Sequence, residues 1–343
     1  MFWLILLPFV VALWYRIYLN RGQTWGTPDE RVYSTYAQKW SPRQYREFVR
    51  VFLTSKDLQV PPTRYAFFGV CRLFVAKAKD PYRTVTWVAA TSGALAAPVA
   101  YGITHNLASA LLVGSSPLSL ILSRRALQDT FAAVTVLLSI YAIYSQNVAL
   151  LVGSTWLALA SREALLLYLP ALFLAWGLRT GHWVVGAGAL STALAFAIGG
   201  YYTLGGRELG AIFRRLREKT DYVRRMQSGL PHRVLVDLAL VSPATLIGAL
   251  IACPYAPLWL AGFLGVGLGV HACVTPKNVR FLLALDLCAR MLCAWLPGYG
   301  IWVVLCLGSL ADFCLYRAFK ETRDPITHDL VLRTGMYQTG EVP

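Results

Sequence analysis

Long apolar runs recur along the whole of this sequence, and they limit what it can fold into more than any other feature. They fall at about 1–19, 62–76, 84–103, 106–122, 130–145, 148–160, 164–178, 183–203, 234–252, 256–273, 280–296 and 299–316. Of the 343 residues, 57% are hydrophobic and 14% charged, where a soluble domain carries about 25% charged residues. Backbone groups in hydrocarbon must be satisfied within their own segment, so such runs predict membrane-spanning helices. They are too continuously apolar for the alternating strands of a membrane barrel. The expected fold is all-α: a polytopic bundle of about eleven or twelve spans, one domain over 1–316, with a polar tail at 317–343. Residues 1–19 carry no basic leading region and no small-residue cleavage site, which predicts a retained first span.

The polar stretches between the runs are short and basic, and net charge is +15. No zinc-finger or helix-turn-helix pattern accompanies the charge, so lipid headgroups or phosphate-bearing lipids are the expected partners rather than nucleic acid. In the stretch 20–60, Thr27-Pro28-Asp29-Glu30 and Ser41-Pro42-Arg43-Gln44 read as two helix starts with proline at the first position. Val32, Tyr33, Tyr36, Ala37 and Trp40 then share one helical face, and Tyr45, Phe48, Val49 and Phe52 share another. At 205–230 a third, strongly basic amphipathic helix is expected. All three should lie along the membrane surface. The seven cysteines show no CxxC spacing and read as small core residues. No metal-binding histidine pattern occurs.

With the N-terminus cytoplasmic, Asp29 is external. If all twelve runs cross, Asp129 falls on the opposite side. If either 84–103 or 106–122 is short or re-entrant, eleven cross, and Asp129, Arg162, Arg280 and the 205–230 helix join Asp29 outside. That orientation runs against the positive-inside rule. Either the bases serve bound phosphates or the orientation is inverted.

Polar residues recur at the ends of these runs: Asp29, Glu30, Arg64, Asp129, Arg162, Glu163, Arg233, Lys277 and Arg280. A charge at bilayer depth costs about 2.5–3.5 kcal/mol on insertion scales, so such residues tend to face a cavity or a partner. Carboxylates beside arginines suit a reaction with an anionic leaving group. The carboxylate takes a proton from an acceptor hydroxyl and the cations stabilise a departing phosphate.

Five motifs in order carry a resemblance. They are Pro28-Asp29-Glu30 with Tyr33 and Ala37, VPPTRYAFFGV at 60–70, Ser116-Pro117-Leu118 with Ser123-Arg124 to Asp129, SGLPHRVLVDLALVSP at 228–243, and TPKNVRFLLAL opening a late span. In this order the chain resembles the GT-C superfamily of membrane glycosyltransferases, in the branch of the protein O-mannosyltransferases and the lipid A aminoarabinose transferase. The resemblance covers nearly the whole chain. It implies transfer of a sugar from a polyprenyl- or dolichyl-phosphate donor to a lipid, glycan or protein acceptor on the external face, usually with inversion. The bacterial inner membrane is the expected location. It implies Asp29 as general base, Glu30 orienting the acceptor, and Asp129 as the second acidic residue of the cavity. Arg280 would stand near the lipid phosphate, with Arg64, Lys277 and Arg162 as further phosphate-binding candidates. The family divides over a divalent metal, and no complete ligand set is encoded here. Where the aminoarabinose transferase has Glu-Lys before its Pro-Pro, this chain has Gln59-Val60.

Plainer roles compete at each position. Asp29, Glu30 and Asp129 can favour helix N-termini. Arg280 can reach toward headgroups. Arg162 and Glu163 can pair with each other. A transporter or flippase of a phosphate-bearing lipid, or a non-catalytic membrane subunit, would use many of the same residues.

Overall fold

The structure is a computed structural model and describes residues 2–19, 28–54, 60–217, 231–273 and 279–319. The described residues are helical or in short turns, with no strand among them. The first apolar run is one helix, α1 (Phe2–Leu19). The polar stretch after it forms α2 (Pro28–Lys39) and α3 (Pro42–Thr54). Their aromatic faces turn onto the protein. Tyr33, Tyr36, Ala37, Tyr45, Phe48, Val49 and Phe52 are all buried, and Tyr36 stacks on Phe48 with ring centroids 4.1 Å apart. Of the expected basic helix at 205–230, the described part is helical over 209–217, here α12; the remainder lies outside the described residues.

The run at 62–76, like those at 130–145, 148–160 and 256–273, forms an apolar helix shorter than 18 residues. It forms α4 (Tyr65–Val75), only 11 residues long. At 1.5 Å per residue this reaches about 16 Å, against a hydrocarbon core of roughly 30 Å. Both of its ends stay beside α2. Arg64 bonds to Tyr33, Trp40 lies against Gly69, and the Arg72 guanidinium donates to the carbonyl of Gln38. Its apolar residues pack on α2: Tyr33 meets Phe67 edge-on, with centroids 5.7 Å apart.

From there the chain runs back and forth between two ends, one at Asp129 and one at Tyr144. α5 (Pro81–Thr104) starts beside α2, where Tyr82 Oη donates to Glu30 Oε1 at 3.3 Å. It ends where His105 Nε2 lies 2.8 Å from Tyr144 Oη. α6 (Leu107–Gly114) and α7 (Pro117–Ser123) return toward Asp129, and α8 (Asp129–Tyr144) and α9 (Val148–Leu159) go out and back. A 3₁₀ turn, Glu163–Tyr168, leads into α10 (Leu169–Thr180), whose Arg179 Nη2 donates to Tyr144 O at 3.3 Å. α11 (Trp183–Thr203) comes back to the Asp129 end, where Tyr65 Oη donates to Ala197 O at 3.0 Å. α13 (Arg233–Val241), α14 (Pro243–Ala252), α15 (Leu258–Cys273), α16 (Leu283–Leu292) and α17 (Gly300–Phe319) complete the bundle.

Three stretches are long and apolar enough to cross a membrane: Glu163–Thr180, Trp183–Thr203 and Gly300–Arg317. Arg233–Val241 with Pro243–Tyr255, bent by 113°, makes a fourth if the pair counts as one span. Several expected spans are therefore interrupted. The run at 106–122 breaks at Ser116-Pro117, and the run at 234–252 at Ser242-Pro243. Proline has no N–H to continue a helix and disfavours helical backbone in the residue before it. Ser116 supplies the missing cap, its side chain accepting from Ser119 N at 3.1 Å. The cysteines are all free, but only Cys71, Cys288 and Cys293 are buried, whereas Cys273, Cys306 and Cys314 lie on the outer surface.

Arg16 ties α1 to the α6–α7 break. It is fully buried, and it donates to Ser123 Oγ at 3.1 Å, Gly114 O at 2.9 Å and Ser119 Oγ at 2.7 Å. The helices can approach this closely because position 93 has no side chain. A Cβ on Gly93 would lie 2.5 Å from Ser123 Oγ and 2.9 Å from Arg16 Nε. Gly93→Ala is therefore expected to lower stability by about 1–3 kcal/mol, the usual cost of overpacking. Tryptophan-fluorescence melting in detergent measures this. Gly153→Ala, with no foreign atom within 4 Å, is the control expected to melt close to the wild-type chain.

Candidate functional site

The Asp129 end collects most of the charged residues singled out from the sequence. Asp29 lies in the first turn of α2, one helical turn before Tyr33. It is half-buried and makes no hydrogen bond or ion pair among the described residues. Glu30, next to it, is fully buried and accepts from Tyr82 Oη. The two carboxylates thus part company: Asp29 is open to a ligand, whereas Glu30 ties α2 to α5.

Tyr33 links this helix to the rest. Arg64 donates to its hydroxyl oxygen, and the same guanidinium holds Glu163 with Nε 3.0 Å from Oε2. Thr63 Oγ1 also donates to Glu163 Oε2, at 3.4 Å. Burial pushes the Tyr33 hydroxyl well above its ordinary value. Arg64 opposes that shift, and the negative charges of Asp29 and Asp129 add to it. Tyr33 therefore keeps its proton. Burial alone would lower the Arg64 guanidinium, but Glu163 and Tyr33 outweigh it and raise it, so Arg64 stays charged.

Asp129 opens α8 and is buried between two arginines. Its Oδ1 accepts from Arg162 Nη1, and its Oδ2 accepts from Arg280 Nη2 at 2.7 Å. Arg280 reaches this point from the 3₁₀ turn Val279–Leu282, which Tyr168 anchors by donating to Phe281 O at 2.6 Å. Arg162 lies over the Phe281 ring, 4.6 Å from its centroid. A small recess opens here, lined by Asp129, Arg162, Arg280, Tyr168 and Phe281, with Ala132 and Ala284 among its apolar walls. The recess is small, its enclosed space about that of one water.

Arg162 is the unusual member. A guanidinium has five N–H donors, yet Arg162 is 5% exposed and its one hydrogen bond among the described residues goes to Asp129. Its Nε is buried without an acceptor. Buried donors left unmade cost about 1–3 kcal/mol each, so this geometry fits an anion.

The pairing differs from one sequence expectation. Arg162 and Glu163 are neighbours but bond elsewhere, to Asp129 and to Arg64. Extended backbone at Arg162 (φ −162°, ψ 117°) separates their side chains before the 3₁₀ turn begins. Lys277 lies outside the described residues. Asp29, Arg64, Asp129, Arg162 and Arg280 do share one end.

A second charged cluster escaped the sequence reading. Arg290 is fully buried and bonds Asp286 Oδ2 at 3.1 Å, Asp312 Oδ2 at 2.6 Å, Leu112 O at 2.9 Å and Ser242 Oγ at 2.5 Å. Ser116 Oγ donates to Asp286 Oδ2 at 2.7 Å. The signal was present in part, since Asp286 and Arg290 stand four apart in an apolar run and so share a helix face. Nothing in the spacing points to Asp312.

No protein-family model and no curated protein matches the chain. Among the described residues, no three His, Cys, Asp or Glu side chains gather as a metal would require.

Arg64→Met strands Glu163 in a mostly buried site. Breaking such a pair from one side costs about 3 kcal/mol, so the variant is expected to be clearly less stable. Adding Glu163→Gln is expected to recover much of that loss. A double-mutant cycle on denaturation midpoints reads the coupling; additive effects would mean that the pair contributes nothing.

Proposed function

We propose that this chain is an integral-membrane glycosyltransferase that moves a sugar from a polyprenyl- or dolichyl-phosphate donor to an acceptor hydroxyl, with inversion. The observation that carries the proposal is that an open carboxylate, Asp29, stands at the same end of the bundle as the Arg162–Arg280 recess, on the helix whose Tyr33 accepts from Arg64. Asp29 takes the proton of the acceptor hydroxyl. The acceptor oxygen bonds to the anomeric carbon as the bond from that carbon to the phosphate oxygen breaks. The phosphate leaves with the electron pair, and Arg280 and Arg162 stabilise its charge. Asp129, held by two guanidiniums, is a poor candidate for the base. The resemblance in sequence motifs supports the same assignment.

Asp29→Asn is expected to reduce transfer by on the order of 10²–10⁴-fold, the usual contribution of a general base, while the protein still folds and inserts. Transfer at the wild-type rate in that variant would sink the assignment. A second reading, transport or flipping of a phosphate-bearing lipid, is favoured by one observation. Two helices are broken at Ser-Pro steps, and both breaks bond to the Asp286–Arg290 pair, a feature of transporter folds. Lipid scrambling in liposomes, undiminished in Asp29→Asn and without sugar transfer, would bring that reading forward.

We also propose eleven crossings, by α1, α5, α6 with α7, α8, α9, α10, α11, α13 with α14, α15, α16 and α17. α4 is the run that stays on one side, whereas α6 and α7 together cross. Asp29, Asp129, Arg162, Arg280 and the end of α17 then face one side, and the resemblance assigns that side as external. Charge argues the other way. Exposed Arg31, Lys39, Arg43, Arg46 and Arg50 lie at the Asp129 end, and Arg179 is the one Lys or Arg on the described turns and helix ends at the Tyr144 end. Single cysteines at Lys39 and Gln146, in a background whose native cysteines are replaced, are expected to react with an impermeant maleimide from outside and from inside, respectively. The reverse pattern would put the site on the cytoplasmic face.

A further inference from the structure

The recess already contains an anion. Asp129 is 1% exposed, and each of its oxygens accepts from a different arginine, Oδ1 from Arg162 and Oδ2 from Arg280. Neither pairing uses both prongs of the guanidinium fork, the arrangement that binds a carboxylate best. On Arg162 the remaining donors point at nothing among the described residues, and Nε is fully enclosed. A carboxylate shared in this way leaves the Arg162 fork unsaturated. A tetrahedral phosphate offers more oxygens, and spreads them wider.

A phosphate bound to these same donors would lie within a few ångströms of the Asp129 carboxylate. Two anions that close in a buried site repel strongly, and the recess is too small to keep them apart. With Asp129 in place, the two guanidiniums and one carboxylate sum to one positive charge. Without it, they sum to two.

We infer that Asp129 is a resident counter-ion which the phosphate of the substrate displaces from Arg162 and Arg280. This rests on reading the recess as the donor-phosphate site. Asp129 offsets one of the two buried positive charges while the site is empty, holding Arg280 and Arg162 together across α8 and the 3₁₀ turns. It gives them up when a phosphate with more acceptor oxygens arrives. Asp129 is thus a positioning residue and takes no proton. Its presence lowers affinity for the substrate and for the phosphate product alike, which favours release after each turnover. Arg64 stands outside this exchange, because Glu163 and Tyr33 already hold it.

The test uses the full chain in nanodiscs, with farnesyl phosphate as the probe and inorganic phosphate in parallel to separate headgroup from tail. Binding is measured by titration calorimetry and by the ligand-induced shift of the melting midpoint. Asp129→Asn is expected to bind farnesyl phosphate on the order of tenfold more tightly than the wild-type chain. Its melting midpoint, lowered in the absence of ligand, should rise further on adding the probe, because the phosphate replaces the missing carboxylate. Asp129→Glu, which keeps the charge, should bind like the wild type. If Asp129→Asn folds only when purified with farnesyl phosphate present, the displacement is supported in the same way. Equal or weaker binding by Asp129→Asn, or aggregation with and without the probe, overturns the displacement and leaves the recess a phosphate site. If the wild-type chain and both variants fail to bind either phosphate, the donor-site reading itself falls.

Discussion

A charge inside an apolar bundle must find its partners within the bundle, and Arg290 shows how far this chain goes to meet that demand. Its five N–H donors have acceptors on four elements: Asp286 of its own helix, Leu112 of α6, Asp312 of α17 and Ser242 at the α13–α14 break. Both serine–proline breaks are bonded to this Asp286–Arg290 pair. A break exposes polar backbone, and a buried ion pair needs polar groups, so each satisfies the other. Arg290 with its two aspartates carries one net negative charge. Arg16, fully buried with neutral partners on the other side of the α6–α7 break, carries the balancing positive one.

Arg162 meets the same demand differently. It is nearly as deep as Arg290, yet it makes one hydrogen bond among the described residues, and its Nε is buried without an acceptor. Two buried arginines in one bundle thus separate by their hydrogen bonding. Arg290 is complete and holds helices together. Arg162 has one hydrogen bond among the described residues and lines the recess. The same contrast divides the carboxylates: Glu30 and Glu163 are bonded into the fold, and Asp29 is open.

Much of the architecture was legible because hydrophobic periodicity and capping act locally. The faces of α2 and α3 were read from spacing, and both helices begin at the expected prolines. The packing of α4 on α2 was not legible at 62–76, because an apolar surface looks the same whether protein or lipid will cover it. Tyr33 and Tyr36 of α2 pack on Phe67 and Phe68 of α4. The pairings of Arg64 with Glu163 and of Arg162 with Asp129 were not legible either. Each joins residues far apart in the chain, and any of several arginines would have suited either acid.

Composition, run length and Ser-Pro steps by themselves determined an all-α chain with helices suited to a membrane, the polar segments between them, and a short set of residues able to do chemistry. These depend on transfer free energy and on backbone sterics, which act within a few residues. Tertiary structure decided which of those residues meet, which runs stay at one end, and which charges are used up in holding the fold. Coulombic pairing in a low dielectric depends on distance in space, and a linear sequence does not contain that distance.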